Sequence, residues 1–378
     1  MVGNAAGLAE VSAGQVRGGE APHWDRFANW QIRPARLLLL AMLLMLIASV
    51  MVPITTGKPL VKSAEVSADA NAPRKRDPDL ALYDRIIARV DNGENYYDVV
   101  GEEHRRGNYP VRPGLAVRLP TLAFIAAWLG EAGQKAAAIL LLLGVVAVWW
   151  RRLGEEPGVA HRRAIAIALL ITGTWMGYAR QLYVLHEFWA GMLLALSFGL
   201  HRPGKWVASF AAAALALAIR EHALPFVMLM AAMAFWRGDR KEGAAWSALA
   251  IVFLGMLLIH LQLAAALVQP GDRVSPSWMA FRGLSGWLSN VVLSTVATVL
   301  PHWLAGPVAL LAIFGWAGWR TPTGTFGTFL FLGYGLLFMI AGRGSNFYWG
   351  IMIVPVMYVG LAFVPDWGRS LWRAARLA

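Results

Sequence analysis

Cysteine is absent, which excludes disulfides, thiolate nucleophiles and cysteine-ligated metals. Histidine is sparse, with eight residues scattered without metal-ligand spacing, and there is neither a serine-centred elbow nor a phosphate-cradling glycine loop. Charge is scarce too: 15% of the 378 residues are Asp, Glu, Lys or Arg while 58% are hydrophobic, and mean hydropathy is +0.51. A soluble domain carries about 25% charged residues. Apolar runs of roughly 15 to 20 residues recur after residue 36, each able as a helix to cross about 30 Å of hydrocarbon. Only helices and closed barrels satisfy their backbone in lipid, and the alternating pattern of a barrel is missing. The sequence therefore predicts an all-α, polytopic membrane protein. Internal repeats are missing as well, so the inverted-repeat architecture of many transporters gains no support.

The net charge of +12 does not indicate nucleic-acid binding, because the basic residues sit in short clusters at the ends of apolar runs. The clusters are Arg33/Arg36, Arg151/Arg152, Arg162/Arg163, Arg237/Arg240/Lys241 and Arg369/Arg373/Arg376. That is the pattern of cytoplasmic loops retaining Lys and Arg. About ten transmembrane helices are expected, at 37–54, 135–150, 162–178, 183–200, 205–220, 223–237, 244–264, 303–319, 325–341 and 349–364. The first reads as a retained signal anchor. Residues 284–301 are apolar but read as an interfacial or half-inserted helix, because a further full span would invert the side of Arg320 and of the basic C-terminus. The expected organisation is a cytoplasmic tail (1–36), a transmembrane domain (37–364) with a large extracytoplasmic loop (55–134), and a second cytoplasmic tail (365–378).

The acidic residues are unevenly placed. Ten of the 22 lie between Glu65 and Glu103, in that loop. Asp77-Pro78 reads as a helix start, apolar Leu80, Tyr83, Ile86, Ile87 and Val90 follow at helical spacing, and Asn92-Gly93 reads as the end. This amphipathic helix, 78–92, is expected on the membrane surface. Asp77 and Asp79 read either as caps of that helix or as proton acceptors. Glu187, beside His186 in an apolar stretch, is a functional candidate or an interface residue paired with Arg180 or His186. Arg220-Glu221-His222 joins two apolar runs with no other polar spacer and reads as a phosphate site, since the arginine fork matches phosphate oxygens, or as a self-satisfied hairpin. Arg343-Gly-Ser-Asn346-Phe-Tyr348-Trp349 offers directional donors beside flat rings, suited to sugar or phosphate, or belongs to the aromatic belt. His302, Trp303, Trp278 and Trp287 read as lining the same face or, by preference, as belt residues.

Asp79-Leu-Ala-Leu-Tyr83, then Gly93-Glu-Asn-Tyr96-Tyr97, resembles the start of the first periplasmic loop of GT-C glycosyltransferases, the superfamily of the protein O-mannosyltransferases and the lipid A aminoarabinose transferase. Arg112-Pro113, or Arg118-Leu-Pro120 with its apolar continuation, resembles their juxtamembrane segment, and Tyr178-Ala-Arg180-Gln with Glu187 resembles their second loop. The likeness runs over residues 37 to 240. It departs in Leu80, where a second acid often stands, and in lacking a Trp-Trp-Asp tract. The resemblance implies a bacterial inner-membrane enzyme with a periplasmic active face. It would move a sugar from a polyprenyl-phosphate donor to a hydroxyl or phosphate of a lipid or glycan acceptor, inverting the anomeric carbon. In that reading Asp79 is the base, with Asp77 and Glu187 as alternatives. Arg220, Glu221, His222 and Arg343 hold the donor phosphate, and Tyr83, Tyr97, Arg112, Arg118, Arg180, Asn346 and Tyr348 contact substrate. The resemblance allows a divalent metal (Mg or Mn) without requiring one. The rival readings are a transporter or flippase for a lipid-linked intermediate and a non-catalytic membrane scaffold.

Overall fold

The computed structural model describes residues 25–27, 29–55, 77–156, 159–174 and 182–376. Among them there are helices and isolated bridges but no strand. The first helices are α1 (Ile32–Met51), α2 (Pro78–Asp91), α3 (Tyr96–Arg106), α4 (Thr121–Glu155) and α5 (Arg163–Gly173). Then come α6 (His186–Leu200), α7 (Val207–Ile219), α8 (Leu224–Trp236), α9 (Arg240–Ala266) and α10 (Gly283–Leu293). The last are α11 (His302–Gly318), α12 (Pro322–Ile340), α13 (Val354–Met357) and α14 (Val364–Arg376), with 3-10 turns Gly344–Met352 and Tyr358–Phe363 around α13.

The local causes are those the sequence carries. Asp77 caps α2 by accepting from the backbone N–H of Asp79 at 2.9 Å, Pro78 opens the helix, and Gly93 turns the chain out of it at φ +86°. Asn95 caps α3 through the N–H groups of Tyr97 and Asp98, and Asp239 caps α9.

A helix lies at each of the ten expected spans, but they differ in length. Four are long and apolar enough to cross a membrane: α1, α4 with its preceding turn, α9 and α12. A fifth passes only as a bent pair, Gly344–Met352 with Val354–Arg376, broken by 59°. Apolar helices α5, α7, α8 and α11 are shorter; at about 1.5 Å per residue they fall short of the roughly 30 Å hydrocarbon layer. The second span is also longer than expected, because α4 begins at Thr121 and bends at Gly130, whose φ is +59°. Two placements concern environment. The α2 helix does not present its apolar face to lipid: Leu82, Ile86 and Val90 pack with Tyr96, Val99 and Val100 of α3, Ala123 of α4 and Ala264 of α9. The α10 helix is enclosed by protein through Trp287, Leu288, Val291 and Val292, against α12 and Gly344–Met352.

Helix α6 is apolar on every side and runs through the centre, packed by α4, α7 and the Gly344–Met352 turn. Outward-facing Leu40, Leu44 and Ile47 of α1 and Ile251, Val252 and Leu258 of α9 form the kind of broad apolar surface that lipid covers. Inside, helices meet through small residues, as membrane bundles do. A Cβ on Gly315 would lie 1.8 Å from the carbonyl oxygen of Gly360, and one on Gly360 would lie 1.9 Å from that of Ala312. Backbone cannot yield as a side chain can, so Gly315→Ala is expected to destabilise by about 3 kcal/mol or more. A lowered melting temperature in detergent, against unchanged melting for Gly255→Ala where the space is open, checks this.

The two ends of the bundle differ in chemistry. At one end Arg152 donates to the carbonyl oxygens of Phe198 and His201 and to Thr323 Oγ1. There Arg202 pairs with Glu155 at 2.7 Å, His201 meets Glu242 at 2.7 Å, and Arg162 pairs with Asp366. These contacts bring the basic clusters around α4, α5, α9 and α14 to a common end, with the start of α12 and the end of α6. At the other end two extended segments form a roof. Residues 111–112 pair with 273–275, held by Arg105 on Asp272, and residues 278–282 pair with 339–342. Beneath that roof lies a cavity.

Candidate functional site

The cavity measures about 350 Å³ and is walled by α2, by the turn between α7 and α8, by the segment around Arg118 and by the turn after α12. Its geometry follows from where helices stop. α7 ends because Arg220 adopts extended backbone (φ −147°, ψ 119°), and the Glu221–Ala223 turn then leads into α8, with Pro225 in its first turn. That break sets three ionisable groups side by side. Arg220 is 1% exposed; its Nε stands 2.8 Å from the Glu187 carboxylate, and an Nη binds Glu221. Glu187, in the first turn of α6 and equally buried, also faces Arg118 at 3.7 Å. Arg118 in turn donates to the hydroxyls of Tyr83 (3.1 Å) and Tyr348 (3.2 Å). One buried carboxylate thus holds two guanidiniums that line the cavity.

The remaining wall is aromatic and basic. Trp349 packs on the His222 ring with centroids 4.3 Å apart, and Tyr334 fixes that turn by donating to the His222 carbonyl. Arg343 lies over the Trp278 ring at 5.6 Å, and among the described residues no carboxylate pairs with it. Asn346 accepts from the Arg343 backbone and donates to Tyr348. The His222 Nδ1, Arg343 Nε and Trp349 Nε1 atoms are buried and find no partner among the described residues. Buried donors in a folded protein normally find an acceptor, so such a set marks a place for a ligand or water.

At the rim, Asp79 accepts from the hydroxyl of Tyr109 at 2.7 Å. Burial, and then this bond to Asp79, push the Tyr109 phenol above its ordinary range, so it remains a donor at neutral pH. Burial lowers the neighbouring His104 imidazole, which is held by the Pro110 carbonyl. Tyr109→Phe should remove a charge-assisted bond and lower any Asp79-dependent activity about tenfold without altering helicity; steady-state rates and circular dichroism check this.

Of the residues singled out in the sequence, Asp79, Tyr83, Arg118, Arg220, Glu221, His222, Arg343, Asn346 and Tyr348 line the cavity. Asp77 does not, because its carboxylate caps α2. Glu187 stands behind the wall rather than on it. Tyr97 is bonded to His260 under α3, and Arg112 lies in the roof, donating to the Asp272 carbonyl. Arg180 falls outside the described residues. Unanticipated lining residues are Tyr109 and His104, and Trp278 takes its place on the cavity face rather than in the belt. The acid-rich loop contributes less than its composition suggests: Glu94, Glu102 and Glu103 are spent on Arg89 and Arg85, leaving Asp79 at the cavity.

A wider recess of about 610 Å³ between α2 and α4 is lined by Asp84, Asp91 and Glu131 with no basic residue in its wall, so it does not suit a phosphate. Among the described residues no three His, Asp or Glu side chains converge as metal ligands, and the cavity's Glu221 is already held by Arg220. The described residues do not fit a divalent metal. Comparison of the chain with known protein families, with curated proteins and with solved structures finds no match.

Proposed function

We propose that this chain is a membrane glycosyltransferase of the GT-C kind, moving a sugar from a polyprenyl-phosphate donor to an acceptor hydroxyl. In this reading about ten helices cross the inner membrane of a bacterium, the basic end is cytoplasmic and the cavity opens to the periplasm. The observation that carries it is the meeting of Arg118, Arg220 and Arg343 with Asp79 in one aromatic-lined cavity, at the end of the bundle opposite the basic clusters. A lipid-linked donor arrives laterally in the bilayer and brings a phosphate, for which planar guanidiniums at membrane depth supply charge and paired hydrogen bonds. Tyr348, Trp349 and His222 offer stacking faces for a sugar.

The step needs no covalent intermediate. The acceptor hydroxyl oxygen bonds to the anomeric carbon while the bond from that carbon to the phosphate oxygen breaks, and the polyprenyl phosphate leaves with the electron pair. Asp79 takes the hydroxyl proton, a role for a positioned carboxylate opposite the leaving group. The leaving phosphate gains charge in the transition state and is stabilised by Arg220 and Arg343. Glu187 acts through Arg118 and Arg220 as a positioning residue. Against a transporter stands the run Phe188–Ala195 of α6, buried between the cavity and the basic end and without an ionisable side chain. The test is donor binding: Arg220→Gln should weaken retention of a radiolabelled polyprenyl-phosphate sugar on reconstituted protein about a hundredfold, and unchanged retention would sink the assignment of the phosphate site.

A further inference from the structure

A separate site lies at the basic end, at the opposite end of α12 from the cavity. There a crevice of about 240 Å³ opens between α1, α11 and α12, with apolar walls from Leu38, Met42, Phe314 and Phe329. Its mouth is closed on one side by the segment Asp25–Phe27, which bridges to Trp319 and is pinned by Arg26 on the Ala317 carbonyl (2.8 Å) and Thr325 Oγ1 (2.7 Å). Arg26 sits at this mouth with Trp30 beside it and also donates to the Trp319 carbonyl at 3.3 Å, which sets the next residue, exposed Arg320, beside the mouth. Two guanidiniums close together repel unless an anion lies between them, yet among the described residues neither has a carboxylate partner: the adjacent Asp25 is engaged by Ser370 and the Phe27 N–H. Burial and Arg320 both push the Arg26 guanidinium below its ordinary range, as an uncompensated pair would.

From this juxtaposition we infer that the crevice is a binding site for one anionic phospholipid, its phosphate between Arg26 and Arg320 and part of an acyl chain along Leu38, Met42 and Phe329. The chemistry is that of basic pockets between membrane helices, which hold anionic headgroups. An indole at the rim suits the headgroup level, where one side of the ring is apolar and the other wet. A zwitterionic lipid would bring a second cation beside the two arginines, so charge selects the anionic class. The assignment does not depend on the transferase reading.

Native mass spectrometry of delipidated protein in detergent, titrated with phosphatidylglycerol or chain-matched phosphatidylcholine, tests it. One phosphatidylglycerol should remain bound about tenfold more tightly than phosphatidylcholine. Arg320→Gln removes one exposed cation and should weaken that binding about fivefold. Thr328→Phe, which adds bulk at a lining position of the crevice, should weaken it similarly, and both variants should keep the wild-type melting temperature. Arg376→Gln, on the exposed face of α14, should change nothing. Equal retention of the two lipids, wild-type retention in both crevice variants, or an equal loss in Arg376→Gln would each overturn the site.

Discussion

Replacement of Asp79 by Asn should lower turnover at least about a hundredfold while leaving donor affinity within about twofold. Two carboxylates line the cavity, and their surroundings divide the roles. Glu221 is bound by Arg220, so its charge is already matched. The bonded partner of Asp79 is the neutral Tyr109 hydroxyl, which orients the carboxylate without neutralising it. Asn keeps the shape of the side chain and can still accept from Tyr109, but it cannot take a proton from the acceptor. The defect therefore belongs to turnover. Single-turnover transfer with pre-bound donor separates the two quantities. Turnover above one tenth of wild type in Asp79→Asn would remove Asp79 as the base.

The second large effect is on stability. Glu187→Gln should destabilise the protein by about 3 kcal/mol, because it removes the counter-charge that buried Arg118 and Arg220 share, leaving Arg118 with neutral hydroxyls and Arg220 with Glu221 alone. The geometry leaves little room for relief: Arg220 is 1% exposed, and Tyr83 and Tyr348 already occupy Arg118. If the loss is electrostatic, removing the partner cation as well should restore part of it. The double variant Glu187→Gln with Arg118→Met, which leaves Arg220 paired with Glu221, should accordingly melt higher than Glu187→Gln alone, while still failing to bind donor. A melting temperature for Glu187→Gln equal to that of wild type would show that the carboxylate does not hold the two arginines.

Much of this was legible in the chain, for reasons that vary by element. The apolar runs gave the helices, since a bilayer solvent selects long apolar helices directly. The α2 boundaries followed from local chemistry, Asp77-Pro78 at the start and Asn92-Gly93 at the end. Arg220-Glu221-His222 stood out because it was the sole polar spacer between two apolar runs, and the cavity is built on it. Other features depend on distant pairing that no local pattern encodes. The choice between Arg112 and Arg118 rests on which one meets Glu187, from α6, and Tyr348, from the turn after α12. Tyr109 carried no signal, since its role comes from reaching back thirty positions to Asp79. The partner of the apolar face of α2 was not legible because such a face is satisfied equally by lipid or by protein, and α3, α4 and α9 supply protein. Span counting was limited likewise, because hydropathy marks apolar helices such as α7 and α8 without fixing whether 13 residues cross a bilayer.

The most direct test of the central claim is a transfer assay on purified wild-type protein in proteoliposomes. It would supply a panel of radiolabelled polyprenyl-phosphate sugars, with membrane lipids and glycans as acceptors, and follow transbilayer movement of the donor in the same vesicles. The expected result is label appearing on an acceptor, with free polyprenyl phosphate released in equal amount. Donor crossing the bilayer with its sugar still attached, and no labelled acceptor from any member of the panel, would contradict it and make the cavity a transport site.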